Sequence, residues 1–310
     1  MGNYILRRVI SMAIVLWVIM TVTFTFMHSI PGGPFDREKK LPAVIMENIK
    51  ERYHLNDSLP KQYFDYFKNV LRGDLGPSYT LEGRTVNEII AEGFPISAIL
   101  GLTAVAIALL IGIPAGIISA LYRNKWQDNA AMLGATIFVS VPSFILATVL
   151  MLIFALKLRW LPAAMWGEPS QIVLPALALT GFPTAFVSRL TRSSMVEVMQ
   201  QDYIRTARAK GLSRIAVVVR HALKNALIPL VTYLGPMLAA ILTGSFVVEN
   251  IFAIPGLGRY FVTSIYNRDY TVILGVTIFY STLLVLLNFA VDLTYAWIDP
   301  RIRFQDTGKE

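Results

Sequence analysis

Six stretches of the chain are almost free of charge: residues 9–30, 96–121, 130–156, 172–187, 226–248 and 272–298. A bilayer core about 30 Å thick is crossed by roughly 20 apolar residues at about 1.5 Å each. Five of the stretches reach that length. The stretch 172–187 is shorter and carries Pro175 and Pro183. The pattern predicts an all-α membrane protein with six transmembrane helices. The first stretch exceeds the core of a secretory signal, no small-x-small cleavage site follows it, and Pro31-Gly32-Gly33-Pro34 reads as a turn instead. It is expected to stay as an anchor. Gly112-Ile113-Pro114 with Gly116, Val141-Pro142, Pro229 and Pro236 are expected to interrupt helices, because proline lacks the backbone donor.

The segments between the spans carry a different pattern. In 31–95, Ile45, Ile49 and Tyr53 recur every four residues, and Tyr63, Phe64, Phe67, Val70 and Leu71 form a second stripe that ends at Gly73. Both read as amphipathic helices. The chain therefore divides into 1–30 (N-terminal end and first span), 31–95 (a small helical segment outside the membrane) and 96–310 (the remaining five spans). After Pro255-Gly256-Leu257-Gly258, the spacing of Tyr260, Phe261, Ser264, Ile265 and Arg268 predicts a short interfacial helix. In 188–225, residues 196–210 have helical character, Gly211 ends the helix and Ser213 can cap another. That loop is expected to be a helix–turn–helix hairpin.

Composition agrees with the spans. Of 310 residues, 55% are hydrophobic and 15% charged, against about 25% charged in a soluble domain. The absence of Cys excludes disulfides, thiolate metal sites and Cys nucleophiles, and three His far apart in sequence do not suggest a metal site. The net charge of +8 could signal nucleic acid, but its position decides otherwise. The 188–225 loop holds eight basic and two acidic residues. Its ends are tied to membrane spans and no third helix completes a soluble core, so a DNA-reading hairpin is set aside. Anchoring to anionic lipid and docking of a cytoplasmic protein both remain open for it. With the N-terminus inside, fifteen basic residues lie inside and four in short outer loops. Both termini are thus expected in the cytoplasm.

The spacing around Gly211 resembles the EAA loop of binding-protein-dependent ABC importer permeases. The family pattern is Glu-Ala-Ala, three residues, Gly, nine residues, Ile, one residue, Leu-Pro. Arg205 and Thr206 stand at the Glu and first Ala positions, and Ala207 and Gly211 match. His221 replaces Ile, Leu223 matches and Lys224 replaces Pro. The run from Tyr203 to Gly211, which includes Arg208 and Lys210, is similar to the variant in peptide importers. Leu6-Arg7-Arg8, Pro31-Gly32-Gly33-Pro34-Phe35 and Leu71-Arg72-Gly73-Asp74-Leu75-Gly76-Pro77-Ser78 also resemble family landmarks. So do Glu249-Asn250-Ile251-Phe252, Asn267-Arg268-Asp269-Tyr270 and Ile298-Asp299-Pro300-Arg301. Tyr53-His54-Leu55-Asn56 and the long outer segment look most like the oligopeptide B-type subunit.

The resemblance implies a type I ABC importer permease fold in a bacterial inner membrane. It implies a sister permease, two cytoplasmic ABC ATPases docked on the EAA loops, and an extracytoplasmic binding protein that delivers a peptide. This chain has no Gly-x-x-x-x-Gly-Lys-Ser/Thr loop, and its only Gly-Lys pair, Gly308-Lys309, precedes Glu310. It is expected to bind no cofactor and to be no enzyme, with ATP and Mg held by the partner ATPases. The coupling residues implied are Arg205, Thr206, Ala207, Arg208, Lys210, Gly211, His221 and Leu223, with Ala207 and Leu223 packing the hairpin together. Polar groups within the spans are the candidates for a pathway: Ser140, Ser143, Thr243, Asn288 and Asp292. Glu249, Pro255, Gly256, Gly258, Arg268 and Asp269 form a candidate loop for docking or gating. Within the family the cargo could equally be a dipeptide, nickel or a sugar. A different class also fits the pattern: a membrane receptor or anchor with a ligand-binding outer segment and a regulator on its inner loop.

Overall fold

The computed structural model describes residues 2–30, 35, 47, 48, 51, 53–242 and 246–298, with side chains from residue 5 to residue 291. Among these residues the regular structure is helical, apart from one antiparallel bridge between Pro77 and Thr85. The helices are α1 (Gly2–Ser29), α2 (Leu59–Leu71), α3 (Val86–Leu121), α4 (Trp126–Ser140), α5 (Ser143–Lys157) and α6 (Pro169–Val198). They continue with α7 (Asp202–Ala209), α8 (Arg214–Ala226), α9 (Ile228–Leu242), α10 (Phe246–Ile251), α11 (Leu257–Asn267) and α12 (Tyr270–Ile298).

Helices α1, α3, α6 and α12 are long and apolar enough to cross a membrane. Two bent pairs, α4 with α5 and α8 with α9, complete the six when each counts as one span. The expectations need correction in detail. Residues 130–156 are not one helix: the chain bends by 101° where Val141-Pro142 intervenes. The doubtful stretch 172–187 lies inside a 30-residue helix. A capping box of Glu168 and Gln171 starts α6, and Pro169 sits in its first turn, where no backbone donor is needed. Pro175 and Pro183 are buried within that helix, which runs on through both. Gly112, Pro114 and Gly116 do not interrupt α3, nor does Pro236 interrupt α9. The break near Pro229 falls at Leu227, with a 49° bend. Ile45 and Ile49 of the first amphipathic stripe, Pro31-Gly32-Gly33-Pro34 and Asp299-Pro300-Arg301 lie outside the described residues.

Small residues run along the uninterrupted α3 at helical spacing. Gly93, Ser97, Gly101, Ala104, Ala108, Gly112 and Gly116 recur every three or four residues and are all buried. They form one stripe, because such positions share a helix face. Ile99, Leu102, Leu110, Ile111 and Ile118 are exposed on the helix. Pro114 is exposed too.

The chain forms two compact units, Met1–Ser97 with Pro255–Val285, and Ala98–Ile254 with Leu286–Glu310. The first boundary is close to the division at residue 95, but 255–285 joins the N-terminal part instead of the other spans. In the first unit Phe24 and Met27 of α1 pack on Tyr270 and Leu274 of α12, flanked by Tyr63, Tyr66 and Tyr79. Tyr63 and Thr21 share a hydroxyl hydrogen bond of 2.7 Å. Burial pushes the Tyr66 and Tyr79 phenols above the ordinary tyrosine value, so both stay neutral. The backbone N–H of Leu257 donates to Ser97 at 2.9 Å.

The second unit is held by close helix contact. A Cβ on Gly112 would stand 2.8 Å from Val187, and one on Gly116 would stand 2.6 Å from the Ser188 carbonyl and from Thr191. Small residues let two helix backbones approach this far, which is how helices associate in lipid. Val105, Val187, Leu230 and Met237 form a further buried cluster between α3, α6 and α9.

Candidate functional site

The hairpin predicted around Gly211 is present. Helix α7 ends at Ala209, and Gly211 turns the chain with φ +79°, a conformation that L side chains rarely adopt. Ser213 then accepts the N–H of Ala216 at 3.3 Å and caps α8. The two arms bury one common side. Ile204 and Ala207 of α7 join Val217, Val218, Ala222 and Ala226 of α8 and Met195 of α6 in one apolar cluster. Ile117, Ala120 and Leu121 at the end of α3 pack against it. Ala207 lies within this cluster. Leu223 is half-buried, one position off the row made by Val218, Ala222 and Ala226. A π-helical stretch from Val217 to Ala222 widens this arm.

The other side of the hairpin is open. Arg205, Thr206, Arg208, Lys210 and Gly211 are exposed, and His221 is half-buried. Tyr203 is 41%, Val219 58% and Ile215 78% exposed, so apolar and cationic groups share this side. Arg205 reaches Asp202 at 3.4 Å in its own helix, and both side chains are largely solvated. The amide of Asn225 donates to the Tyr203 hydroxyl at 2.8 Å and ties the arms together.

Beside the hairpin lies a constellation that the sequence reading missed. Asp128, in the first turn of α4, is buried. It accepts from Arg192 Nε and Nη2 of α6 at 2.7 Å each, a two-pronged pair. The Ser119 hydroxyl of α3 donates to the same carboxylate, and so does the Asn124 N–H at 2.8 Å. One level away, Arg189 donates to Thr136 at 2.9 Å and joins α6 to α4 again. Arg214 of the hairpin donates to the Leu121 carbonyl at 2.9 Å and lies over the Tyr122 ring. A signal was available: Asp128 is the only acid between residues 96 and 156. A lone carboxylate beside an apolar run calls for a cation.

The remaining candidates are scattered. Ser140 and Ser143 flank the 101° bend. Ser140 is exposed and donates to the Thr136 carbonyl at 2.8 Å, and Ser143 is half-buried at the start of α5. Asn288 is half-buried on α12. Thr243 lies outside the described residues, and so does the side chain of Asp292. In the second unit Glu249 is fully buried at α10. In the first, Gly256 and Gly258 are buried at the start of α11, Pro255 is exposed and Arg268 half-buried. Asp269 is fully buried. It accepts from Ser78 at 2.5 Å, from the Thr80 hydroxyl and N–H at 2.9 and 3.1 Å, and from Thr271 at 3.0 Å. Neither carboxylate presents itself to solvent. Among the described residues no group of three His, Cys, Asp or Glu is arranged to hold a metal ion.

Apolar helices, two bent pairs and a basic hairpin seated on helix ends define a multi-pass helical membrane chain. The chain belongs to the family of binding-protein-dependent transport system inner membrane components, whose model matches residues 112–304. The N-terminal model of the same kind of component matches residues 1–101. The dipeptide transport system permease protein DppB of Bacillus subtilis is 50% identical over 308 residues, covering 99% of this chain and 100% of that protein. The oligopeptide transport system permease protein OppB of Escherichia coli K12 is 44% identical over 306 residues, covering 98% and 100%. Among solved structures, an inward-facing form of the MetNI methionine ABC transporter aligns with a TM-score of 0.59 at 19% identity, covering 68% of this chain and 96% of that one. An amino acid ABC transporter aligns at 0.52 and 17%, covering 67% and 93%. These two likenesses speak to the fold alone.

Proposed function

We propose that this chain is the permease subunit of an ATP-driven ABC importer of peptides, with oligopeptides as the main cargo. It forms the translocation pathway with a sister permease in a bacterial inner membrane, both termini facing the cytoplasm. Two cytoplasmic ATPases bind ATP and Mg and dock on the two permeases, here through the 188–225 hairpin. An extracytoplasmic binding protein delivers the peptide to the opposite side. The chain itself catalyses no reaction.

The observation that carries this reading is the two-sided hairpin. Its inner side is an apolar cluster packed on the ends of α3 and α6. Its outer side offers Arg205, Arg208 and Lys210 together with exposed Tyr203, Ile215 and Val219. Apolar anchors among charges suit a protein partner better than a lipid surface. The two relatives whose names specify dipeptide and oligopeptide transport support a peptide cargo.

Alternating access would start at the hairpin. Closure of the ATPases around ATP would move it, and the bend between Ser140 and Ser143 would let α5 change direction relative to α4. Ser140, Ser143, Thr243, Asn288 and Asp292 are the proposed pathway contacts. The half-exposed Arg268 and exposed Pro255 are the proposed outer contacts.

Purification of the tagged chain from its native membrane tests the reading. A second permease and two ATPases should co-purify, and Gly211→Arg should remove the ATPases. Co-purification of a kinase or a DNA-binding regulator instead would favour the receptor reading.

A further inference from the structure

We infer that Asp128 and Arg192 form a mechanical joint, and that both are positioning residues that make ATP hydrolysis productive for transport. The inference rests on the hairpin being the ATPase dock. It goes further in naming how movement leaves the hairpin for the spans.

The joint lies where force from the hairpin must divide. Arg192 stands near the end of α6, ten residues before the first residue of α7. Asp128 stands in the first turn of α4, the first limb of the bent pair. Ser119 brings in the end of α3, whose last turn packs on the hairpin cluster. One carboxylate therefore gathers three helices, and its two oxygens receive both the guanidinium fork and the Asn124 N–H. A fork fixes direction as well as distance, unlike a point charge. The seam behind it is tightly packed, since a Cβ at Gly116 would stand 2.6 Å from the Ser188 carbonyl and from Thr191. Together with the Arg189–Thr136 tie, the joint makes the end of α3, α4, α6 and the hairpin one body. Along α4 the helix first breaks at Val141-Pro142. Displacement at the hairpin is then delivered to the bend beside Ser140 and Ser143 instead of being lost in the turn at 122–125.

The joint separates hydrolysis from transport, and a purely structural pair would not. The test uses the complete complex in proteoliposomes, with sister permease, ATPases and binding protein, and a radiolabelled tetra-alanine peptide as probe. Asp128→Asn should keep ATP hydrolysis per assembled complex within about twofold, while peptide carried per ATP falls about tenfold. Arg192→Lys, which keeps the charge but loses the fork, should give a smaller fall of the same kind. It supplies the same readout if Asp128→Asn does not assemble. The chain has no Cys, so Asp128→Cys with Arg192→Cys gives a unique pair. A short bifunctional thiol reagent bridging that pair should restore peptide carried per ATP.

Hydrolysis and transport falling in proportion, or only the amount of complex falling, would overturn the joint. Unchanged peptide per ATP in both single variants would overturn it as well. Gly211→Arg separates the two readings. If ATPases still dock and transport persists in that variant, the dock itself is wrong and the joint loses its role. If docking is lost there but the Asp128 and Arg192 variants stay coupled, the joint alone fails.

Discussion

Asp269 in the first unit and Asp128 in the second are both buried, and the two are satisfied differently. Asp269 in the first unit receives hydroxyls and backbone N–H groups from the 78–80 loop and the start of α12. Asp128 in the second receives a guanidinium fork as well as a hydroxyl and an N–H. Neutral donors suffice to pin a loop to a helix start, where the first backbone N–H groups also need acceptors. A charged fork spans helices that are distant in sequence, since Asp128 and Arg192 are 64 residues apart. The surroundings match. Tyrosines and phenylalanines pack around the first carboxylate's unit, whereas the second carboxylate ends a seam of glycines. The first arrangement ties the 78–80 loop to the start of α12, and the second is the one proposed to pass displacement along helices.

Four substitutions press on that contrast. The largest effect is expected from Asp128→Ala, which leaves Arg192 without its partner. Losing one member of a buried pair costs about 3–5 kcal/mol, and the partial exposure of Arg192 places this one toward the lower end. Thermal unfolding in detergent should show it as the steepest fall in midpoint. Asp269→Ala follows, at about 1–3 kcal/mol, because it orphans neutral donors only. The same melting series checks the order, and a larger loss at 269 than at 128 would undo the contrast. Gly211→Ala comes third. Its Cβ meets open space, so only the left-handed backbone is penalised, by about 1–2 kcal/mol. Arg205→Ala is smallest for stability. Its exposed pair with Asp202 is worth about 0–1 kcal/mol, and a melting midpoint indistinguishable from wild type is expected. A lowered yield of co-purified ATPase in that variant would then report docking, free of any effect on folding.

The sequence carried the spans and the hairpin more clearly than the joints between them. Long charge-free runs, Gly211 and Ser213 each have a local cause, and the structure has a helix or a turn at each. Pro114 misled, because a proline between Gly112 and Gly116 looks like a break. The seven-member stripe of small residues on α3 was legible at the same place, and it signals packing. The 101° bend could be located at Val141-Pro142 but not sized, since its angle depends on what α5 packs against. The Asp128–Arg192 pair was the least visible. Arg192 was absorbed into a count of basic residues, and a contact across 64 residues leaves no spacing to read. Glu249 and Asp269 looked like loop charges because burial is not written in a turn motif.

The most direct test of the account is ATP-driven peptide uptake into proteoliposomes that hold this chain, its sister permease, the ATPases and the binding protein. Tetra-alanine should accumulate only with ATP and the binding protein present, and Gly211→Arg in this chain should abolish uptake along with ATPase docking. Uptake that persists in Gly211→Arg with the ATPases still bound, or a wild-type complex that hydrolyses ATP without carrying any peptide, would contradict it.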